Sequence, residues 1–165
     1  MDDVTVAQAF EVAIATERAA ERLFQGLEAK FAHHEDIATF WKQYSLDEAK
    51  HAKCLEGLKG RLTTEQLSKR VDNHTVRLLQ TAAGYSVEKA LLGVKNLEDA
   101  YQLVNDFENG EINVIFLFLL DNFEADEQMR DFFRVQLNKH IARLANDLPV
   151  QYKGVLSRKE IQALA

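Results

Sequence analysis

The segment from Asp36 to Leu62 carries an apolar stripe of helical period, and two ligand-type side chains interrupt it. Apolar residues recur there at steps of three and four, as on one face of an α-helix; they are Ile37, Trp41, Tyr44, Leu55, Leu58 and Leu62. The same steps pass through Glu48 and His51, which fill two core positions. Because an unpaired buried carboxylate costs several kcal/mol or is driven to protonate, the pattern calls for a compensating partner, and a bound cation is one.

Composition favours a single helical domain. The 165 residues are enough to bury a core. One proline, Pro149, and seven glycines leave room for long uninterrupted helices. The only cysteine, Cys54, excludes internal disulfides and multi-thiolate metal sites.

Charge and hydropathy restrict the partners and the location. The formal net charge of −6 argues against nucleic acid and anionic membranes as partners. The acidic start lacks the pattern of a signal peptide. The longest apolar run, Val114–Leu120, is far shorter than a membrane span of about 20 residues. We therefore expect a soluble, cytoplasmic protein.

Helical periodicity predicts four long helices with one long connection. The expected ranges are helix A over about 4–31 behind the capping candidate Asp3, helix B over about 36–62, helix C from Asn96 past 118, and helix D from about 127 to before Pro149. The short A/B and C/D turns make two antiparallel hairpins. We thus expect an all-α chain in which residues 1–148 form a four-helix bundle with one crossover, about 63–95, between the second and third helices. That connectivity is ferritin-like. The tail, 149–165, is expected to add a short docked helix.

Each predicted helix carries ligand-type residues on its apolar stripe: Glu17 on A, Glu48 and His51 on B, Glu108 and Glu111 on C, and His140 on D. At 1.5 Å rise per residue, Glu17 and Glu48 lie roughly 22 Å from the A/B turn. Glu111 and His140 lie at about the same depth from the C/D turn. Because the crossover sends the two turns to opposite ends of the bundle, both sets reach its middle. Depth therefore predicts one buried metal-binding constellation.

Several of these residues have other interpretations. Glu48 and His51 can form a buried hydrogen-bonded pair that binds nothing, and Glu17 can be the partner of Arg18 or Arg22. Clustered acids without a cation would raise one another's pKa and destabilise the fold.

The ligand candidates of helices C and D have alternatives of the same kind. Glu108 can be a surface group or a partner of a ligand, and His140 a satisfied core histidine. Gly110, between the two acids of helix C, can mark a widened helical turn or a close helix packing. The run Val114–Leu120 indicates either a helix buried on all sides or, as we favour, a homodimer interface.

The motif Glu48-Ala-Lys-His51, with Glu17, Glu108-Asn-Gly-Glu111 and His140, resembles the rubrerythrin branch of the ferritin-like superfamily. The resemblance covers helices A to D and implies a pair of iron ions bridged by Glu48. It assigns Glu17 and His51 to one iron, and Glu108, Glu111 and His140 to the other. Two features depart from the family: Leu137 stands where a second bridging glutamate is expected, and the paired Cys-x-x-Cys motifs of a rubredoxin domain are missing. An external electron donor is then expected.

The resemblance implies an iron-binding oxidoreductase that acts on peroxide, dioxygen or ferrous iron. Carboxylate and imidazole ligands without thiolate suit iron or manganese, and zinc is a further candidate. One alternative is a degenerate metal-binding or scaffold protein that does not turn over, which Leu137 favours. Another is the iron-storage subunit of a hollow cage.

Overall fold

The structure, a computed structural model, describes residues 4–110 and 112–148. Eight α-helices follow one another in these ranges: α1 (Val6–Lys30), α2 (Glu35–Arg61), α3 (Thr64–Ser68), α4 (Asn73–Ala83), α5 (Val87–Gly93), α6 (Leu97–Glu108), α7 (Ile112–Phe123) and α8 (Glu127–Asn146). The described backbone contains no β-strand, and its one isolated bridge joins Thr5 and Arg70. The prediction of an all-α chain is confirmed for these residues.

Helices α1 and α2 form a hairpin that packs along its length. Helix α1 starts behind Thr5, whose hydroxyl accepts the Gln8 N–H while the Gln8 side chain accepts the Thr5 N–H. This capping box satisfies two otherwise unpaired donors. The predicted cap, Asp3, lies outside the described residues, and Thr5 is the N-cap instead.

The predicted crossover is itself helical, since α3, α4 and α5 all lie within it. It opens with a capping box between Thr63 and Gln66. All three helices contact α1. Backbone hydrogen bonds from Val6 N–H to Lys69 O and from Val71 N–H to Val4 O tie the segment to the start of α1.

The predicted continuous helix C is wrong at its middle, where α6 ends at Glu108 and α7 starts at Ile112. Its predicted N-cap is correct, because the Asn96 side chain accepts the Asp99 N–H. A Cβ atom on Gly110 would lie 3.1 Å from two carbonyl oxygens of the preceding turn. A side chain there would force the backbone to shift, so close backbone approach accounts for this glycine.

Helical spacing predicts an inner face of helix D made of Met129, Phe133, Leu137 and Leu144. Phe133, Leu137 and Leu144 are buried, whereas Met129 is 40 % exposed. It lies in the first turn of α8, beside a surface cavity. On α7, Val114 is 46 % exposed whereas Ile115 and Leu119 are buried. The homodimer interface stays a prediction, and the tail 149–165 lies outside the described residues.

Apolar packing forms two clusters with a polar level between them. One cluster includes Phe24, Trp41 and Tyr44, and the other includes Phe10 and Leu55. On each long helix the ligand candidates fall between members of the two clusters: Glu17 between Ala13 and Ala20, Glu48 and His51 between Tyr44 and Leu55, Glu108 between Phe107 and Ile115, and His140 between Phe133 and Leu144. The helices therefore bring these polar side chains to one level.

Candidate metal centre

Five of the six predicted ligand residues come together in the interior. Glu17, Glu48, His51, Glu108 and His140 are each at most 3 % exposed, and they form two overlapping groups. The sixth, Glu111, lies outside the described residues. The buried position of Glu108 rules out its interpretation as a surface group.

The first triad consists of Glu17, Glu48 and His51. The helical spacing of three places the His51 Nδ1 atom 3.1 Å from Glu48 Oε2. The same nitrogen lies 3.5 Å from Glu17 Oε2 on the neighbouring helix. Arg18, one of the two alternative partners of Glu17, pairs instead with Glu21 and Glu56. Glu17 therefore faces the interior as a potential ligand.

The second triad consists of Glu48, Glu108 and His140. The His140 Nδ1 atom lies 3.5 Å from Glu48 Oε1 and 3.4 Å from Glu108 Oε2. Glu48 thus directs one carboxylate oxygen to each triad. Within each triad, one candidate ligand atom per residue lies within 4.8 Å of the others. Glu48 is therefore the carboxylate that the two groups have in common.

Electrostatics within the first triad are strained in the absence of a cation. Burial, together with the neighbouring charge of Glu17, raises the pKa of Glu48 well above its ordinary value. Burial opposes charge on His51, but hydrogen bonds to Glu17 and Glu48 outweigh it and raise the His51 pKa to about 10. Burial also opposes charge on Glu17, yet interaction with His51 holds the pKa of that carboxyl below its usual range. A cation ligated by the His51 imidazole would therefore have to compete with a proton on that ring.

Four buried polar atoms of the two triads lack any hydrogen-bond partner: His51 Nε2, Glu108 Oε1, and both ring nitrogens of His140. Buried polar groups in proteins are nearly always satisfied, so a cluster of exceptions needs an explanation. A divalent cation at the second triad would satisfy one nitrogen of His140, the Nδ1 atom that faces Glu48 and Glu108, because an imidazole ligates a cation through one nitrogen. The donor set fits iron, manganese or zinc.

Tyr44 contacts both the backbone and the ring of His140. The Tyr44 hydroxyl donates a 2.8 Å hydrogen bond to the His140 carbonyl oxygen, and the two rings lie 4.1 Å apart between centroids. Burial and the charge of Glu108 raise the Tyr44 pKa, so the phenol keeps its proton as a donor. The Arg143 guanidinium lies 5.1 Å from the Tyr44 ring centroid and 3.0 Å from Asp47 Oδ2. Tyr44 thus contacts His140 directly, and Arg143, paired with Asp47, packs against the Tyr44 ring.

Sequence reasoning missed Asp47 and Arg143 as supports of the site. The signal was present as helical spacing, because Asp47 lies three residues after Tyr44 and Arg143 three after His140. It also missed Asn113, whose Nδ2 donates to the Glu108 carbonyl oxygen at 2.7 Å and approaches Glu108 Oε2 at 3.4 Å. This contact crosses the break between α6 and α7 and fixes the end of α6.

Leu137 is an apolar residue next to the second triad. It lies one turn before His140 on α8 and is 3 % exposed. In the described residues the second triad therefore depends on Glu48 and Glu108 for its oxygen ligands.

Comparison of the chain with protein-family models, with curated proteins and with solved structures gave no match. Among the described helices, none combines the length and the apolar character needed to cross a bilayer.

Proposed function

We propose that this protein is a rubrerythrin-like, iron-binding oxidoreductase with a ferritin-like bundle. In this proposal α1, α2, the α6–α7 unit and α8 are the four helices, and α3 to α5 form the crossover. Contacts between α1 and α2, α2 and α7, and α8 with both α6 and α7 support the arrangement. The observation that carries the proposal is the pair of buried Glu/His triads that share Glu48.

The residues divide the work between the two triads. Glu17 and His51 would hold one iron ion, Glu108 and His140 the other, and Glu48 would contact both. When bound, a pair of ferrous ions supplies two electrons for the reduction of peroxide or dioxygen. The two apolar clusters exclude water from the level between them, which strengthens the electrostatic hold of the carboxylates on cations. Turnover would draw on an external electron donor, and the apolar face of α7 around Val114 would serve a homodimer.

Anaerobic loading with Fe(II) followed by peroxide tests the proposal. We expect iron to stay bound through gel filtration, at up to about two ions per chain. Peroxide should then change the near-ultraviolet absorbance at a rate proportional to the bound iron. The same iron concentration with the urea-unfolded chain is the control. Absence of retained iron, or retained iron that gives no optical change, would overturn the oxidoreductase assignment.

A metal-binding protein without turnover is the second candidate, and buried Leu137 is the observation that favours it. Leu137→Glu would supply the missing carboxylate one turn before His140. We expect this variant to raise bound iron from about one toward about two ions per chain. Leu137→Gln is the matched control, since it adds a polar group of similar size without a charge and should add no iron. Equal iron contents in the two variants would exclude a role for position 137 in metal binding.

A further inference from the structure

Every described ligand candidate is almost fully buried, so a small molecule can reach the site only past a wall of side chains. Phe133 on α8 belongs to such a wall. Its ring meets the His51 ring edge-on, with 6.3 Å between centroids. The same side chain lines a surface cavity of about 300 Å³ between α2 and the junction of α7 and α8. One aromatic side chain thus contacts both the cavity and a ligand candidate.

The lining of this cavity is predominantly cationic. Lys50, Lys53 and Arg61 supply three positive charges, and Glu124 supplies one negative charge. Glu124 is buried and is paired with Arg61, while Lys50 is paired with Asp47 at 3.1 Å. A cavity whose lining carries more charges of one sign than of the other concentrates small ions of the opposite sign. With these two pairs neutralised, Lys53 leaves the lining with one positive charge in excess, which favours anions over cations.

On the inner side of this wall lies a polar atom without a hydrogen-bond partner. His51 Nε2 is buried and makes no hydrogen bond. The His51 ring is instead in contact with the rings of Phe116, Phe133 and His140. Phe116 is fully buried, whereas Phe133 retains 7 % exposure. Of these two phenylalanines, Phe133 is the one that lines the cavity, so displacement of its ring would open a path from the cavity to this imidazole.

We infer that the cavity admits small anions to the metal centre and that Phe133 is the specificity-determining residue that closes this route. The ring limits entry to ligands of a few atoms, and Lys53 selects their charge. The destination of the route rests on the proposed function, whereas the charge selectivity of the cavity does not.

Cys54, the only cysteine, lines the cavity. Its alkylation rate in the metal-free protein therefore depends on the charge of the cavity. Burial, reinforced by Glu124, raises its pKa to about 11, so alkylation should be followed at about pH 9, where a small thiolate fraction reacts. Sulfur displaces iodide from iodoacetate, an anion, or from iodoacetamide, which is neutral. We expect the iodoacetate-to-iodoacetamide rate ratio to be about threefold higher in the folded protein than in the urea-unfolded chain. Lys53→Glu should reduce that excess, and equal ratios in folded and unfolded protein would contradict anion selection.

Azide binding to the Co(II)-loaded protein tests the role of Phe133. We expect Phe133→Ala to accelerate azide association about tenfold, seen in the visible spectrum of the metal, and Phe133→Leu to give a smaller increase while preserving the core. Phe132→Ala is the matched control, because Phe132 is 58 % exposed, packs edge-on against Phe133 and does not line this cavity.

Equal azide rates in the Phe132→Ala, Phe133→Leu and wild-type proteins would overturn the inference about Phe133. Failure of wild-type protein to bind Co(II) would instead overturn the proposed function and the destination of the route. The Cys54 rate ratio then decides the charge selectivity of the cavity by itself.

Discussion

Glu48→Gln is expected to remove metal binding from both triads and to stabilise the metal-free protein. Glu48 is the one residue that the two triads share. Its loss should weaken Fe(II) binding by more than about 100-fold, which exceeds the usual effect of losing a residue that only hydrogen-bonds to a metal ligand. The same carboxylate is buried beside Glu17, which raises its pKa. Relief of this unfavourable burial should raise the free energy of unfolding of metal-free protein by about 1–2 kcal/mol. Equilibrium dialysis with Fe(II) and urea unfolding in the presence of chelator measure the two effects.

Glu56→Gln is the matched control for this substitution. Glu56 lies on the same helix, is paired with Arg18 and is largely exposed, so its replacement should leave both metal affinity and stability nearly unchanged. For Glu48→Gln we expect metal affinity to fall and the free energy of unfolding to rise. This combination distinguishes a metal site from a structural pair. A variant that kept its iron and lost stability would support the hydrogen-bonded pair of Glu48 and His51.

Asp47→Ala is expected to give the largest loss of stability among these variants, about 2–4 kcal/mol in urea unfolding. Asp47 is buried and accepts from Lys50 at 3.1 Å and from Gln43 at 3.3 Å. It also neutralises Arg143, which is only 22 % exposed. Its removal leaves Arg143 without its partner and frees Tyr44, so His140 should lose its fixed position. Metal affinity should then fall about 10- to 100-fold.

The pH dependence of this variant has a definite sign. Burial opposes the charge of Asp47, but Lys50 and Arg143 outweigh it and lower its pKa in the folded protein. The stabilising contribution is therefore present above the unfolded pKa and is lost as pH falls through the folded pKa. The stability difference between wild type and Asp47→Ala should shrink in acid. Asp121→Ala, which breaks the exposed pair with Arg134, should show little effect at any pH, and a comparable loss there would contradict a special role for Asp47.

Helical periodicity was sufficient to predict the long elements and most of the candidate site. The stripes of α1, α2 and α8 and the caps at Thr63 and Asn96 are local properties of the chain, which propensity and capping determine. The depth of each residue from its turn follows from the fixed rise of a helix. That arithmetic brought Glu17, Glu48 and His140 to one level before any contact between them was known.

Features that depend on tertiary packing were not predictable in the same way. Asp47 and Arg143 lie beside the apolar stripes, so the sequence pattern predicts that they are solvent-exposed charges. Only the packing of α8 against α2 shows that they pair. The break after Glu108 lies next to Gly110, where a Cβ atom would be 3.1 Å from two backbone carbonyl oxygens. The helical periodicity of the sequence continues through positions 108, 111 and 115, so the pattern does not reveal the helix break. Met129 follows the stripe of α8 but lies beyond the buried core.

Anomalous diffraction at the iron edge from iron-loaded crystals tests the central claim most directly. We expect one anomalous peak between Glu17, Glu48 and His51, and a second between Glu48, Glu108 and His140. Full occupancy of the first with weaker occupancy of the second would agree with the missing carboxylate at Leu137. Crystals that retain iron only at surface carboxylates, with no peak between the two apolar clusters, would contradict a buried metal centre.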